Sequence, residues 1–152
     1  MIEDGRQSPR ALTVLKGLGR YFASHDFVHM TELSLASGRR ADFVALGPKG
    51  DIVIVEVKSS VNDFRSDNKW HEYLEFCDRF YFATLNDVPK DIFPATQGLI
   101  VADDFGAELL RDAEIDKLTP ATRKAITLRL ARAAASRFAI LQDPNLKELS
   151  VT

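Results

Sequence analysis

The sequence predicts an α/β fold, a mixed central sheet flanked by helices with one more helix at the C-terminus. Three observations lead there. Two pairs, Ser8-Pro9 and Thr119-Pro120, each open a helix-compatible segment; the hydroxyl caps the helix, and proline sits in the first turn, where its missing N–H costs nothing. Ile52-Val53-Ile54-Val55-Glu56-Val57 is a nearly continuous β-branched run, the pattern of a central strand covered on both faces. Shorter strand-like runs on either side are divided by turns rich in Gly, Pro, Asn and Asp.

At 152 residues and 17.0 kDa, the chain has the size of one domain, residues 1–152, able to bury a core without cross-links. The lone cysteine, Cys77, excludes a disulfide framework and a Cys-rich zinc cage, and fits a reducing, cytoplasmic setting. No run approaches the ~18 apolar residues of a membrane span, and the N-terminus lacks an apolar signal core. The formal net charge of −2 argues at first against a nucleic-acid partner. That charge is unevenly spread. Residues 120–142 hold five bases (Arg123, Lys124, Arg129, Arg132, Arg137) and no acid, leaving 15 bases against 22 acids elsewhere. At ~100° per residue these bases surround the helix instead of lining one stripe. A solvated helix is the plainer reading of them.

Element by element, the first helix runs from Ser8-Pro9 to about Ser24, with Leu12, Leu15, Leu18 and Phe22 at helical spacing. Asp26 to Leu35 reads as a strand, with Phe27, His29, Thr31 and Leu33 on one face and Val28, Met30, Glu32 and Ser34 on the other. Arg40 to Leu46 returns antiparallel after Ser37-Gly38, and the turn Gly47-Pro48-Lys49-Gly50-Asp51 leads into the central strand. A helix from Val61 or Asp63 to Phe76 follows, with Trp70, Tyr73, Leu74 and Cys77 as its buried stripe. Arg79–Thr84 and Gly98–Ala102 are strands, Gly106–Leu110 is an edge strand, and residues 143–152 form a flexible tail.

The chemistry concentrates on two strands. Asp42 lies on the returning strand, and Glu56-Val57-Lys58 ends the central one. Glu56 and Lys58 leave the same face, because side chains alternate along a strand. A carboxylate and an ammonium at the end of an apolar strand are expensive without partners. The hairpin folds Asp42 back toward Glu56, so two carboxylates and the Val57 carbonyl offer the hard oxygens that Mg2+ takes, with room for waters and a phosphate. Lys58 beside such an ion can orient the attacking water and neutralise charge growing on phosphorus. A structural ion-pair cluster is the alternative reading of the same three residues.

This arrangement resembles the PD-(D/E)XK nuclease superfamily, whose motif is an Asp, a short hairpin and Glu-X-Lys; here Ala41 stands in place of the motif proline. The resemblance implies a restriction endonuclease-like αβββαβ core over about residues 8–102, an Mg2+ or Mn2+ cofactor and hydrolysis of DNA. More narrowly, Gly38-Arg39-Arg40-Ala41-Asp42, Ile54 to Ser60, Asp63-Phe64-Arg65, Lys69-Trp70, Phe76 to Ala83 and Gly98 to Asp103 look like the MmcB-like family, which implies a nuclease role in DNA repair, with DNA and other repair proteins as partners. Asp42, Glu56 and Lys58 take the catalytic positions, with Asp42, Glu56 and Val57 as metal ligands. Members often add an acid near the first helix. Glu32 is the candidate for it, against the alternative of a carboxylate satisfied by Arg39 or Arg40. Arg39, Arg40, Arg65 and Lys69 are expected on the DNA backbone. A non-catalytic DNA-binding or adaptor module on the same fold is the alternative function, and a homodimer is compatible with either.

Other chemistries find little support. No His-x3-His or His-Glu-x-x-His spacing exists for zinc. Cys77 falls on an apolar stripe without a triad to activate it. Ser59, Ser60 and Asp63 are placed to cap the helix that follows the central strand.

Overall fold

In the computed structural model, residues 7–149 are described. Six strands, β1 (Val28–Ser34), β2 (Arg40–Leu46), β3 (Ile52–Val57), β4 (Arg79–Thr84), β5 (Gly98–Ala102) and β6 (Ala107–Arg111), form one sheet in sequence order. The pairs β3–β4 and β4–β5 are parallel and the others antiparallel. The sheet is therefore mixed, as the sequence predicts. Helix α1 (Pro9–Ser24) covers one face, and α2 (Val61–Arg65), a 3-10 helix (Trp70–Phe76) and α3 (Pro120–Gln142) lie toward the other, with a short α4 (Leu146–Leu149) beyond.

Both predicted caps are present. Ser8 accepts from the Ala11 N–H and Thr119 from that of Thr122. Ala11, Val14, Leu15, Leu18 and Phe22 form the buried stripe of α1, packed on Phe43, Ala45, Val53, Val55 and Ile100. Each large side chain so buried contributes about 1.5–3 kcal/mol. Leu12, placed on that stripe by spacing, is instead exposed. Gly17 explains how closely α1 lies on the sheet: a Cβ there would stand 2.1 Å from the Asp103 carbonyl oxygen.

Every residue of β3 is buried, in keeping with an apolar run broken only by Glu56. Two layers sandwich it. Ile52 and Ile54 join Trp70, Tyr73, Phe80 and Phe82 on one side, and Val53, Val55 and Val57 join the α1 layer on the other.

Three expectations need correction. The helix read from Val61 to Phe76 is two elements. It stops at Arg65, because Ser66 Oγ donates back to the Asp63 carbonyl and Asp67 Oδ1 accepts from the Lys69 N–H; such side chains compete with the helical ladder for backbone partners. The chain resumes as a 3-10 helix that buries Trp70 and Tyr73. The tail expected from residue 143 begins instead with a turn onto α4, where Asp143 Oδ1 accepts from the Asn145 N–H. In β1, the strict alternation fails at Glu32. Met30 and Leu33 face the same layer although three residues apart, as do Ala41 and Val44 on β2, whereas a regular strand would point them oppositely. Register on either side is preserved, so the two strands change phase together, with Glu32 in the left-handed region at φ 53.

The basic C-terminal helix is largely a clamp. Arg123 donates two bonds of 2.7 Å to Asp78 and a third of 2.9 Å to the Gly50 carbonyl. Asp78 also accepts from the N–H groups of Ile52 and Leu118. Arg137 donates to the carbonyls of Thr31 and Glu32, where β1 changes phase. Burial pushes the Asp78 carboxyl up, but Arg123 and the two backbone donors outweigh it and hold it down at about 2. A depressed carboxyl stabilises the fold above the unfolded value near pH 4 and loses that contribution as the pH falls toward 2. Asp78→Asn is expected to cost about 2 kcal/mol at pH 7. Urea melts should show the gap to wild type narrowing below about pH 4.

Candidate active site

Strands β2 and β3 pair from Leu46–Ile52 to Phe43–Val55 and then part. Beyond that point the next residues face each other as Asp42 and Glu56. A backbone N–H freed from a ladder needs another acceptor, and the two side chains provide it reciprocally. The Asp42 N–H donates to Glu56 Oε1 at 3.0 Å, and the Val57 N–H donates to Asp42 Oδ2 at 2.9 Å. The second Asp42 oxygen accepts from Gln7 Nε2 at 3.2 Å. The carboxylates are thus aimed by the backbone of the opposite strand.

Both acids are held away from their ordinary ionisation. Burial pushes Asp42 up, against the pull of the Val57 N–H, Gln7 and Lys58. Burial and then the Asp42 charge push Glu56 well up, because two like charges share one low-dielectric corner. Lys58 draws both back toward the charged form. Glu56 is 5% exposed and Lys58 6%. The end of β3 is further fixed by the Lys58 N–H donating to the Ala83 carbonyl at 2.9 Å and by Thr84 Oγ1 donating to the Lys58 carbonyl at 2.6 Å.

The donor set fits a small, hard divalent ion. Two carboxylates with the remaining positions left to water and phosphate is the usual protein contribution to a Mg2+ site, and a cation there would offset the repulsion that raises Glu56. Asp42 and Glu56 would hold it, joined by the Val57 carbonyl. Among the described residues, no group of three or more His, Cys, Asp or Glu side chains gathers at one point. Glu32 is accordingly not brought to the pair. Its carboxylate lies 3.9 Å from Arg40, because the change of phase in β1 turns it to that neighbour, as the alternative reading of Glu32 expects.

The four bases expected on DNA divide. Arg39 pairs with Glu72 and Arg40 with Glu32. Arg65, at the end of α2, and Lys69, in the turn after it and not on a helix, are exposed and have no ion-pair partner among the described residues. Ser60 caps α2 by accepting from the Asp63 N–H, and Asp63 accepts in turn from the Ser59 N–H, so these residues act as expected. Cys77 is buried, its thiol pushed up to about 12 by burial, which removes it as a nucleophile.

Several contributors escaped the sequence reading. Gln7 stands just before the helix cap, where nothing marks it. Tyr73 reads as core, yet its hydroxyl donates to the Arg40 carbonyl at 3.0 Å, and burial, then Glu56 and Asp42, push it up. Asp67 ion-pairs with Lys58 at 2.6 Å. The signal for Asp67 was present in Ser66-Asp67-Asn68, three residues that disfavour a helix interior.

An α/β domain with an acidic pair, one member buried and the other half-buried, and a buried lysine at the parting of two central strands is the class that fold and site define. The chain belongs to the MmcB-like DNA repair protein family, whose model matches residues 1–145. Among solved structures it is similar to the SPO1766 protein of unknown function from Silicibacter pomeroyi, at 40% identity and a TM-score of 0.87 over 92% of this chain and 96% of that one. No curated protein matches it. Among the described residues, no helix is long and apolar enough to cross a membrane.

The acidic pair is a strained choice for stability. Glu56→Gln keeps an acceptor for the Asp42 N–H and removes the like charge. In the metal-free protein it is expected to raise stability by about 1–2 kcal/mol, a few degrees of Tm. The same variant should lose the Tm rise that Mn2+ gives the wild type, both readings coming from thermal melts.

Proposed function

We propose that this chain is a Mg2+- or Mn2+-dependent DNA phosphodiesterase of the PD-(D/E)XK type, acting in DNA repair. The observation that carries the proposal is the reciprocal Asp42–Glu56 arrangement with the buried Lys58 two residues on. Family membership supports the DNA repair role. A bound divalent ion would supply Lewis-acid charge at the phosphate and a more acidic water.

The chain's own groups do the rest. Asp42, pinned by the Val57 N–H and Gln7, and Glu56, pinned by the Asp42 N–H, keep their carboxyls from swinging as substrate enters. The Lys58 ammonium lies beside them, in a water-poor corner where a positive charge stabilises phosphoryl oxygens strongly. Water oxygen bonds to phosphorus and gives up a proton to solvent, the P–O bond to one sugar breaks, and the leaving oxygen takes up a proton from solvent. Arg65 and Lys69 supply contacts to flanking phosphates.

Purified protein is expected to cleave at least one of single-stranded, branched or mismatched DNA with Mg2+ or Mn2+, and Lys58→Ala to abolish the cleavage. Cleavage surviving both Asp42→Ala and Glu56→Ala would sink the assignment. The absence of a third acid from the pair among the described residues favours a second reading, a DNA-binding adaptor, for which binding without cleavage is the expected result. In either case the free bases near the site are few. With Arg65 and Lys69 neutralising two phosphates, log affinity against log salt should fall with a slope of about −2. Arg65→Ala should reduce that slope by about one, and Arg39→Ala, already paired with Glu72, should change it little; fluorescence anisotropy over a salt series measures both.

A further inference from the structure

Lys58 is the only buried lysine among the described residues, and neither carboxylate of the acidic pair holds its head group. Its Nζ lies 2.6 Å from Asp67 Oδ2, with the two side chains 8% and 18% exposed. The other Asp67 oxygen accepts from the Lys69 N–H at 2.8 Å. The turn that interrupts the expected long helix is therefore folded around one carboxylate, and that carboxylate reaches back to the end of β3. Solvated surface pairs are worth little because both partners move and water screens them. This pair is mostly enclosed. Its lysine backbone is fixed at both ends by Ala83 and Thr84.

A free lysine stem samples many rotamers, which would blur the position of the ammonium. We propose that Asp67 is a positioning residue that fixes the direction of the Lys58 ammonium beside the Asp42–Glu56 pair, leaving its remaining N–H donors for a substrate phosphate. The assignment rests on the nuclease reading and adds to it a residue outside the Asp, Glu-X-Lys pattern. Arg65 and Lys69 stand on either side of Asp67 in sequence, so the same turn that orients Lys58 carries the two exposed bases. Substrate contact and ammonium placement are thereby linked through one short segment.

The test uses the full chain. Asp67→Asn retains an acceptor for the Lys69 N–H and removes the ion pair. It is expected to lower kcat about 10- to 100-fold while KM and Mn2+ affinity stay close to wild type and Tm falls by a few degrees from the loss of the enclosed pair, and Asp67→Glu should recover part of the loss. A readout independent of cleavage is acylation of Lys58 by an amine-reactive ester, followed by peptide mass spectrometry. Labelling is expected to be slow in the wild type and several-fold faster in Asp67→Asn. Full kcat in Asp67→Asn or unchanged labelling would each overturn the assignment and leave the nuclease reading standing. A wild type that cleaves no form of DNA overturns both.

Discussion

The parting of β2 and β3 after Phe43 and Val55 is the constraint on which the rest of the structure depends. Two central strands that separate leave backbone N–H groups without ladder partners, in a region where unpaired groups cost about 1–3 kcal/mol each. Asp42 and Glu56 satisfy them, each from the opposite strand. The change of phase at Glu32 and Asp42 follows from the same geometry, since β1 must stay paired with a strand that is turning away. An Asn and a Gln could accept the same two hydrogen bonds without setting like charges together. The fold needs acceptors at these places and does not need anions, and that surplus of charge supports the proposed metal-dependent role.

Helix α3 closes the other side of that constraint. Its arginines, which from composition alone look like a surface for a polyanion, are used internally at two points. Arg123 locks Asp78 and the start of β3, and Arg137 donates to the carbonyls where β1 breaks its alternation. Together they fix the sheet on both sides of the parting. Arg39 and Arg40 are likewise drawn into pairs with Glu72 and Glu32. Of the four bases placed near the site by the sequence, the exposed Arg65 and Lys69 are therefore the ones left to meet a nucleic acid under the proposed function.

Much of this was legible in the sequence wherever a local rule acts alone. The two Ser/Thr-Pro caps, the continuous β-branched run of β3 and the Gly50 turn each specify their own structure, and all stand where expected. The Asp42, Glu56 and Lys58 positions were legible too, because strand alternation and one hairpin are enough to bring them together. What failed depended on long-range partners. The helix read through Ser66-Asp67-Asn68 had good periodicity, but Asp67 is engaged by Lys58 and by the Lys69 N–H, and periodicity knows nothing of either. Glu32 was judged by alternation that the strand itself abandons. Arg123 and Arg137 were judged as a helical surface, when their partners lie 45 and more than 100 residues away in sequence.

The departures from local rules gather at one end of the sheet. A left-handed glutamate, two carboxyls pushed up by desolvation, a buried lysine and an interrupted helix all adjoin the same strand ends. Elsewhere the helix caps of α1 and α3 are satisfied, and among the described residues no buried side-chain N or O atom is left without a partner. Sequences are expected to violate local consistency where a site requires it and to compensate around it. Here the compensation is visible, because every strained group has a fixed neighbour: Arg137 for the Glu32 carbonyl, the Val57 N–H and Gln7 for Asp42, and Asp67 for Lys58. A cluster of charges retained only by chance would not need its orientations held from three different elements. That they are so held is the physical reason for reading this strand end as an assembled site.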